Sequence, residues 1–177
     1  QTAFLNKGIN IKLKDERSGK QAEEEFFYEG GIKEFVQYIN KSKTTIHNDV
    51  IYFEVKEENR EVEIAIQYND SVREDVRSFA NNINTVEGGF HLTGFRSSLT
   101  RVLNKYAESN KKFKGSEKLD SEDVKEGLTA VISVKLSEPQ FEGQTKAKLG
   151  NSDIRGFVEK ACNDYIMAFL DENPKQA

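Results

Sequence analysis

The chain has one cysteine, two histidines and two prolines in 177 residues, and each scarcity closes off a class of protein. A single cysteine cannot build a disulfide framework or a cysteine-rich zinc site within the chain. His47 and His91 have no metal-ligand spacing, and neither has an evident nucleophile near it in sequence. Both are expected to be structural or exposed, and no metal site is expected. Cys162 falls on the apolar face of a helical pattern, where a buried, inert thiol is the expected reading. No apolar run approaches the roughly 20 residues that span a bilayer, so a soluble protein without membrane contact is expected. There is also no initiator methionine, basic leader or signal-like stretch, and the expectation is an internal fragment of a longer polypeptide.

What is present is polar but not disordered. Apolar residues are 36% and charged residues 32%, yet twelve Phe and six Tyr beside two Pro oppose disorder. The length fits one domain or at most two, able to bury roughly 70% of the unfolded surface without staples. The net charge of −4 excludes a dedicated nucleic-acid coating protein but leaves room for a local basic patch.

Hydrophobic spacing supplies the elements. Gln1–Asn6 reads as the last turn of a helix, with Asn6 and Gly8 suited to its C-terminal cap. Ile9–Lys14 alternates and predicts a half-buried strand, followed by a turn at Asp15–Gly19 and a short strand at Phe26–Tyr28. Ile32, Phe35, Val36 and Ile39 mark one helix face. Val50–Val55 and Glu61–Tyr68 predict a long antiparallel hairpin, and Val76–Phe79 a further strand. Leu92, Phe95, Leu99, Val102, Leu103 and Tyr106 mark a long helix, followed by a polar, mobile stretch at Lys111–Ser116. Ser121-Glu122-Asp123 is expected to cap a short helix ended by Gly127. Leu128–Leu136 lacks a polar face for much of its length, which predicts a central strand covered on both sides. Ser152 is expected to cap a last helix, with Ile154, Phe157, Val158, Ala161, Cys162, Tyr165, Ile166 and Phe169 inward. Strands and helices are mixed without strict β-α alternation, so the class is α+β.

Classical catalytic sets are missing: there is no Walker loop and no dinucleotide glycine fingerprint. The acidic run Glu23-Glu24-Glu25 reads as wet surface. Two features stand out. Between Gly94 and Lys114 lie Arg96, Arg101, Lys105, Lys111, Lys112 and Lys114 against Glu108 alone. Such an excess suits nucleic-acid phosphates, and an ordinary solvated helix face accounts for it as well. The second feature is Gly143-Gln144-Thr145-Lys146-Ala147-Lys148-Leu149-Gly150-Asn151, joining the central strand to the last helix. A loop lysine near a helix N-terminus can deliver a point charge to a phosphate, although lysine is also the commonest loop cation.

The blocks Glu126–Val134, Pro139–Lys146 and Lys148–Asn151 carry a resemblance. So do Phe4–Gly8, Tyr28–Ile32, Asn81–Ile83, Gly88-Gly89, Gly94–Arg96 and Leu99–Asn104. Together they resemble the transducer domain of the ATPase subunits of type IIA DNA topoisomerases, that of DNA gyrase (gyrase B) before that of topoisomerase IV. The likeness covers essentially the whole chain. It implies residues 1–30 as the tail of a GHKL ATPase domain and residues 31–177 as the transducer. The implied fold is a split β-α-β unit with the unusual left-handed crossover, as in GHMP kinases and a ribosomal small-subunit protein, its mixed sheet packed on helices. The resemblance also implies ATP and Mg²⁺ as cofactors of the full subunit, bound mainly outside this chain. The implied partners are a DNA duplex, the DNA-cleaving gyrase A protein and a second copy of the ATPase subunit, in the cytoplasm with the nucleoid. Lys146 is implied as catalytic, reaching the γ-phosphate, with Gln144 ordering that contact. Arg96 is implied as facing the transported duplex, with Arg101 and Lys105 as further DNA-binding residues. The fragment alone is expected to be inactive. A stand-alone nucleic-acid-binding module using the basic helix is the alternative from another class. A GHMP-type small-molecule kinase lacks its glycine-rich phosphate loop here.

Overall fold

A computed structural model describes residues 1–17, 22–113 and 117–176. The expected turn at Asp15–Gly19 and the mobile stretch Lys111–Ser116, with Lys114 of the basic group, fall partly outside the described residues. The first elements are α1 (Thr2–Leu5), β1 (Asn10–Asp15), β2 (Ala22–Phe27) and α2 (Gly31–Ile39). Then come β3 (Ile51–Glu57), β4 (Arg60–Tyr68), β5 (Asp75–Ala80), β6 (Ile83–Asn84), β7 (Gly88–Gly89) and α3 (Phe90–Ser109). A 3₁₀ turn at Asp123–Lys125 precedes β8 (Leu128–Leu136), β9 (Phe141–Glu142), β10 (Lys148–Leu149) and α4 (Ile154–Glu172).

The main sheet has the order β3-β4-β8-β5-β6. β8 pairs antiparallel with β4 along its whole length and parallel with β5 from Thr129 to Val134. Parallel neighbours need a crossover connection, and here it runs through α3. The architecture is the expected α+β one, a mixed sheet packed on helices.

Alternation along β8 assigns its two faces. Leu128, Ala130, Ile132, Val134 and Leu136 join Val62, Ile64 and Ile66 of β4 under α3 and α4, and all are buried. Each large apolar side chain so covered contributes roughly 1.5–3 kcal/mol. On the opposite face, Val131, Ala65 and Phe79 meet Ile32, Phe35 and Val36 of α2, with Phe4 and Leu5 of α1 packed on these. The rest of that face is polar: Asn40, Gln67, Asn69 and Thr129 are buried but bonded to one another at 2.7–3.3 Å. A buried polar set of this kind is tolerated because its members satisfy each other. Both faces of β8 are covered, as its composition predicts.

Several local expectations need correction. β1 and β2 form a separate two-stranded sheet, and β1 is mostly exposed rather than half-buried. Its alternation is real, but Ile9 and Leu13 have no covering layer in this chain. β2 also starts earlier than the aromatic triplet suggests. Of the expected cap set, Ser121 makes no side-chain cap among the described residues: the Asp120 carboxylate accepts from the backbone N–H groups of Glu122 and Asp123, while Asp123 Oδ2 accepts from the Asp120 N–H at 2.8 Å. The charged acceptor lies one residue earlier. Ser152 makes no side-chain cap either, since α4 starts at Ile154 after Asp153. Tyr165 is half exposed, stacked at 5.2 Å on Phe53 of the edge strand β3.

Both histidines are structural. His47 Nε2 accepts from the Tyr68 N–H at 2.9 Å, so the proton sits on Nδ1 and is donated to Asp49 O. His91 is fully buried, and its Nε2 lies 3.1 Å from Thr85 Oγ1. The Thr85 hydroxyl proton is already engaged with Ser78 O, so the ring donates and its Nδ1 is left bare. Burial pushes the His91 pKa down to about 4 and lowers that of His47 as well. A depressed histidine pKa means that the unfolded chain binds the extra proton first. For His91 the associated stability is therefore complete above pH about 6.5 and is lost as pH falls from there toward 4. For His91 the loss is on the order of 3 kcal/mol. The folded ring, followed by NMR, is expected to titrate well below pH 6. A midpoint above 6 contradicts the burial argument.

Candidate functional site

The loop between β8 and α4 is a protruding tip on a stitched base. At the base, β10 pairs antiparallel with β9 and parallel with β7. Gly150 N–H donates to Gln140 O at 2.7 Å, Gln140 N–H to Asn151 Oδ1 at 2.7 Å, and Glu87 N–H to Ala147 O at 2.9 Å. Leu149 and Ala147 point into the protein and are buried. The loop is thereby fixed to the turn that opens α3. Gly89 makes that junction possible. Its φ is +140, and a Cβ there would lie 2.7 Å from Leu149 N.

The tip, Gly143–Lys146, is exposed throughout. Gly143 and Lys146 both have left-handed backbone, with φ of 74 and 54. Lysine rarely adopts this conformation, which costs about 1 kcal/mol, and here it belongs to the turn that Lys146 N–H closes on Gly143 O at 3.4 Å. Lys146 Nζ lies 5.9 Å from the centroid of the Phe141 ring. Among the described residues no carboxylate comes within ion-pair distance of it. Its neighbour Lys148, by contrast, is held by Glu142 at 3.0 Å. Gln144 shares the exposed tip. Gln144 and Lys146 therefore share one exposed tip, where Lys146 is a cation without an ion pair among the described residues.

The basic residues of α3 do not form one face. Arg96 and Arg101 are five residues apart, which separates them by about 140° around a helix. Arg96 Nη2 pairs with Glu74 at 2.7 Å, and its Nε is buried without a partner among the described residues. Arg101 faces α4, with Glu159 and Asn163 both at 3.5 Å. Lys105 is exposed beside it and makes no ion pair among the described residues. The guanidinium ions of Arg155 and Arg101 lower the Glu159 pKa, Arg155 being the larger influence. Two of the three expected DNA contacts are thus partly neutralised within the chain, and Lys105 alone of the three keeps its charge uncommitted.

One charged feature gave no sequence signal. Glu54, Glu61 and Glu63 bring carboxylate oxygens within 4.8 Å of one another on one face of β3 and β4. Lys56 lies 2.9 Å from Glu54 and 3.5 Å from Glu61, Lys135 3.0 Å from Glu61, and Lys7 3.4 Å from Glu63. Three lysines neutralise three carboxylates, so the cluster is an ion-pair ladder. Lys135 hydrogen-bonding and charge, helped by Lys56, outweigh burial and hold the Glu61 carboxyl below its ordinary range.

Known proteins were compared with this chain and its fold. The family model for DNA gyrase B matches residues 31–177. The gyrase B protein of Clostridium acetobutylicum is 53% identical over 99% of this chain, and that of Haloferax lucentense 52% over all of it. The chain spans 28% of the length of each of these relatives. Among solved structures, the 43K ATPase domain of Thermus thermophilus gyrase B, in complex with an aminocoumarin, superposes with a TM-score of 0.85. It is 32% identical, and the match covers 98% of this chain and 46% of that one. The ATP-binding domain of Francisella tularensis topoisomerase IV gives 0.80 at 27% identity, the match covering 99% of this chain and 46% of that one. With a family model spanning everything from α2 to α4, the chain belongs to the DNA gyrase B family.

Proposed function

We propose that residues 31–177 are the transducer of a gyrase B protein, coupling ATP hydrolysis in the rest of that protein to movement of DNA. Residues 1–30 are then the edge of the ATP-binding domain. That assignment accounts for the bare apolar residues of the β1–β2 hairpin, since a two-stranded sheet is marginal until something packs on it. The observation that carries the proposal is the uncommitted Lys146 on an exposed, left-handed tip fixed at its base to α3 and to the end of β8.

In this reading Lys146 Nζ meets the γ-phosphate across the domain boundary, and Gln144 orders that contact. ATP supplies the phosphoanhydride, held with Mg²⁺ by residues outside this chain. Lys146 contributes a positive charge where negative charge develops, which lowers the barrier only if it is positioned beforehand. A contact made solely to the γ-phosphate disappears once that group leaves, so the loop reports nucleotide state as a rigid shift of one domain against the other. The partners are a DNA duplex, the DNA-cleaving gyrase A protein and a second copy of the ATPase subunit, acting in the cytoplasm. The product is a change in DNA supercoiling by passage of one duplex through another. The superposition on topoisomerase IV keeps decatenation by that related enzyme as a second reading. Measuring ATP hydrolysis against ADP affinity in a Lys146 variant tests the proposal: loss of hydrolysis alone supports it, and equal loss of both overturns it.

Arg96 is the proposed contact to the transported duplex, and it positions DNA without reading sequence. Arg96→Gln in the longer protein is expected to weaken the stimulation of ATP hydrolysis by DNA while basal hydrolysis holds. The log–log salt dependence of DNA binding is expected to become shallower by about one. Glu74→Gln serves as the control, because it frees Arg96 from its ion pair without removing the charge. Normal stimulation in Arg96→Gln would leave Arg96 as a partner for Glu74 alone.

A further inference from the structure

Residues 1–28 join the rest of the chain through Gly30 and Gly31, and Gly31 has φ +59. A Cβ at position 31 would lie 2.6 Å from Lys7 Cε and 2.8 Å from Lys7 Cγ. The lysine stem occupies the space that any side chain there would need. Beyond the stem, Lys7 Nζ donates to Tyr52 Oη and lies 3.4 Å from Glu63 Oε2. Tyr52 Oη donates to the same carboxylate oxygen at 3.1 Å. Glu63 is nearly covered, with 7% of its side chain exposed. Its other cation, Lys135, is 4.0 Å away and is shared with Glu61 at 3.0 Å.

One residue earlier, Asn6 Oδ1 accepts from Asn82 Nδ2 at 3.1 Å. Asn82 belongs to the two-residue turn between β5 and β6, where Asn81 and Asn82 both have positive φ. Asn81 in turn clasps the end of β8: its Nδ2 donates to Leu136 O, and Leu136 N–H donates to its Oδ1, both at 2.8 Å. Two consecutive side chains after α1 therefore grip the sheet at two separate places. One grip is next to the strand that leads into the Lys146 loop. The apolar stack of Phe4 on Tyr28 and Phe35 holds α1 down but permits sliding between parallel rings. Charge-assisted hydrogen bonds fix direction as well as distance.

We propose that Lys7 is a positioning residue for Lys146. It pins α1 to the sheet across the Gly30–Gly31 joint, and so sets where the ATP-binding part of the longer protein stands relative to the Lys146 loop. This rests on the γ-phosphate role proposed for Lys146.

Lys7→Met keeps the stem and removes the charge, and Glu63→Gln removes the other half of the pair. In either variant of this chain, amide exchange at residues 3–8 is expected to rise roughly tenfold or more, with exchange in β8 unchanged. In the longer protein, kcat for ATP hydrolysis is expected to fall roughly five- to tenfold with ADP affinity kept. Lys7→Arg, which retains charge and donors, is expected to restore both. Unchanged exchange and unchanged kcat overturn the proposal. Faster exchange with unchanged kcat leaves Lys7 as a fastening of α1 and overturns its positioning role. If Lys146→Ala itself spares hydrolysis, the γ-phosphate role has failed first, and the positioning role falls with it.

Discussion

Lys146→Ala in the longer protein is expected to slow ATP hydrolysis on the order of 10²-fold while ADP affinity changes little. The size follows from removing one preorganised positive group aimed at developing charge. The selectivity follows from geometry. The tip of the loop is exposed and carries a single cation, Lys146, which has no ion pair among the described residues. A residue placed this way can touch the outermost phosphate of a nucleotide held elsewhere, and it has nothing with which to bind the remainder. Lys146→Arg is a useful companion, because it keeps the charge but replaces a compact ammonium with a planar fork. Partial recovery in that variant points to charge, and none points to fit. Steady-state hydrolysis and ADP titration on the same preparation decide the matter. An equal fall in both would place Lys146 on the nucleotide as a whole.

Gly89→Ala is expected to destabilise the chain by about 3 kcal/mol or more. Its new methyl group has nowhere to go. The methyl would overlap backbone atoms of Leu149, and backbone cannot rotate aside as a side chain can. The φ of +140 adds strain for any L side chain. Relief requires β7 and β10 to part, which also endangers the neighbouring bond from Glu87 N–H to Ala147 O. Denaturant unfolding measures the loss, and a change below about 1 kcal/mol would show that the two strands are not held together as tightly as the geometry implies. In the longer protein the same substitution is expected to slow hydrolysis, because it loosens the base on which Lys146 stands. It is a test of position without a change of charge.

The long elements were legible because their apolar spacing is unambiguous. Leu128–Leu136 reads as a central strand, and the 3.6-residue spacings in α3 and α4 place their buried faces. The short elements were not. β7, β9 and β10 have two residues each, too few for any period, and they matter only because they bring Gly88 beside Lys148. The grip of Lys7 on Glu63 joins residues far apart in sequence, with no local pattern at either end. Asn6 does cap α1, but the serine N-caps failed for a different reason. Serine at an expected helix start is a fair signal, but Asp120 supplies a charged acceptor one residue before Ser121. The scatter of basic residues around α3 is a point that sequence itself contains. Counting charges along a line ignores their angles, and the spacing of Arg96 and Arg101 already puts them on different sides.

β8 is the middle strand of its sheet and also the last of the five to be synthesised. A nascent chain thus completes β3–β4 and β5–β6 before it possesses the strand that unites them. Until Leu136 has left the ribosome, β4 and β5 each present an open edge backed by apolar side chains, which is the condition that favours pairing with the wrong chain. The interval ends only when α3 has formed and carried the chain back between the two halves. The longer a ribosome takes to release Leu136 after Ala80, the longer these edges stay open to the wrong partner.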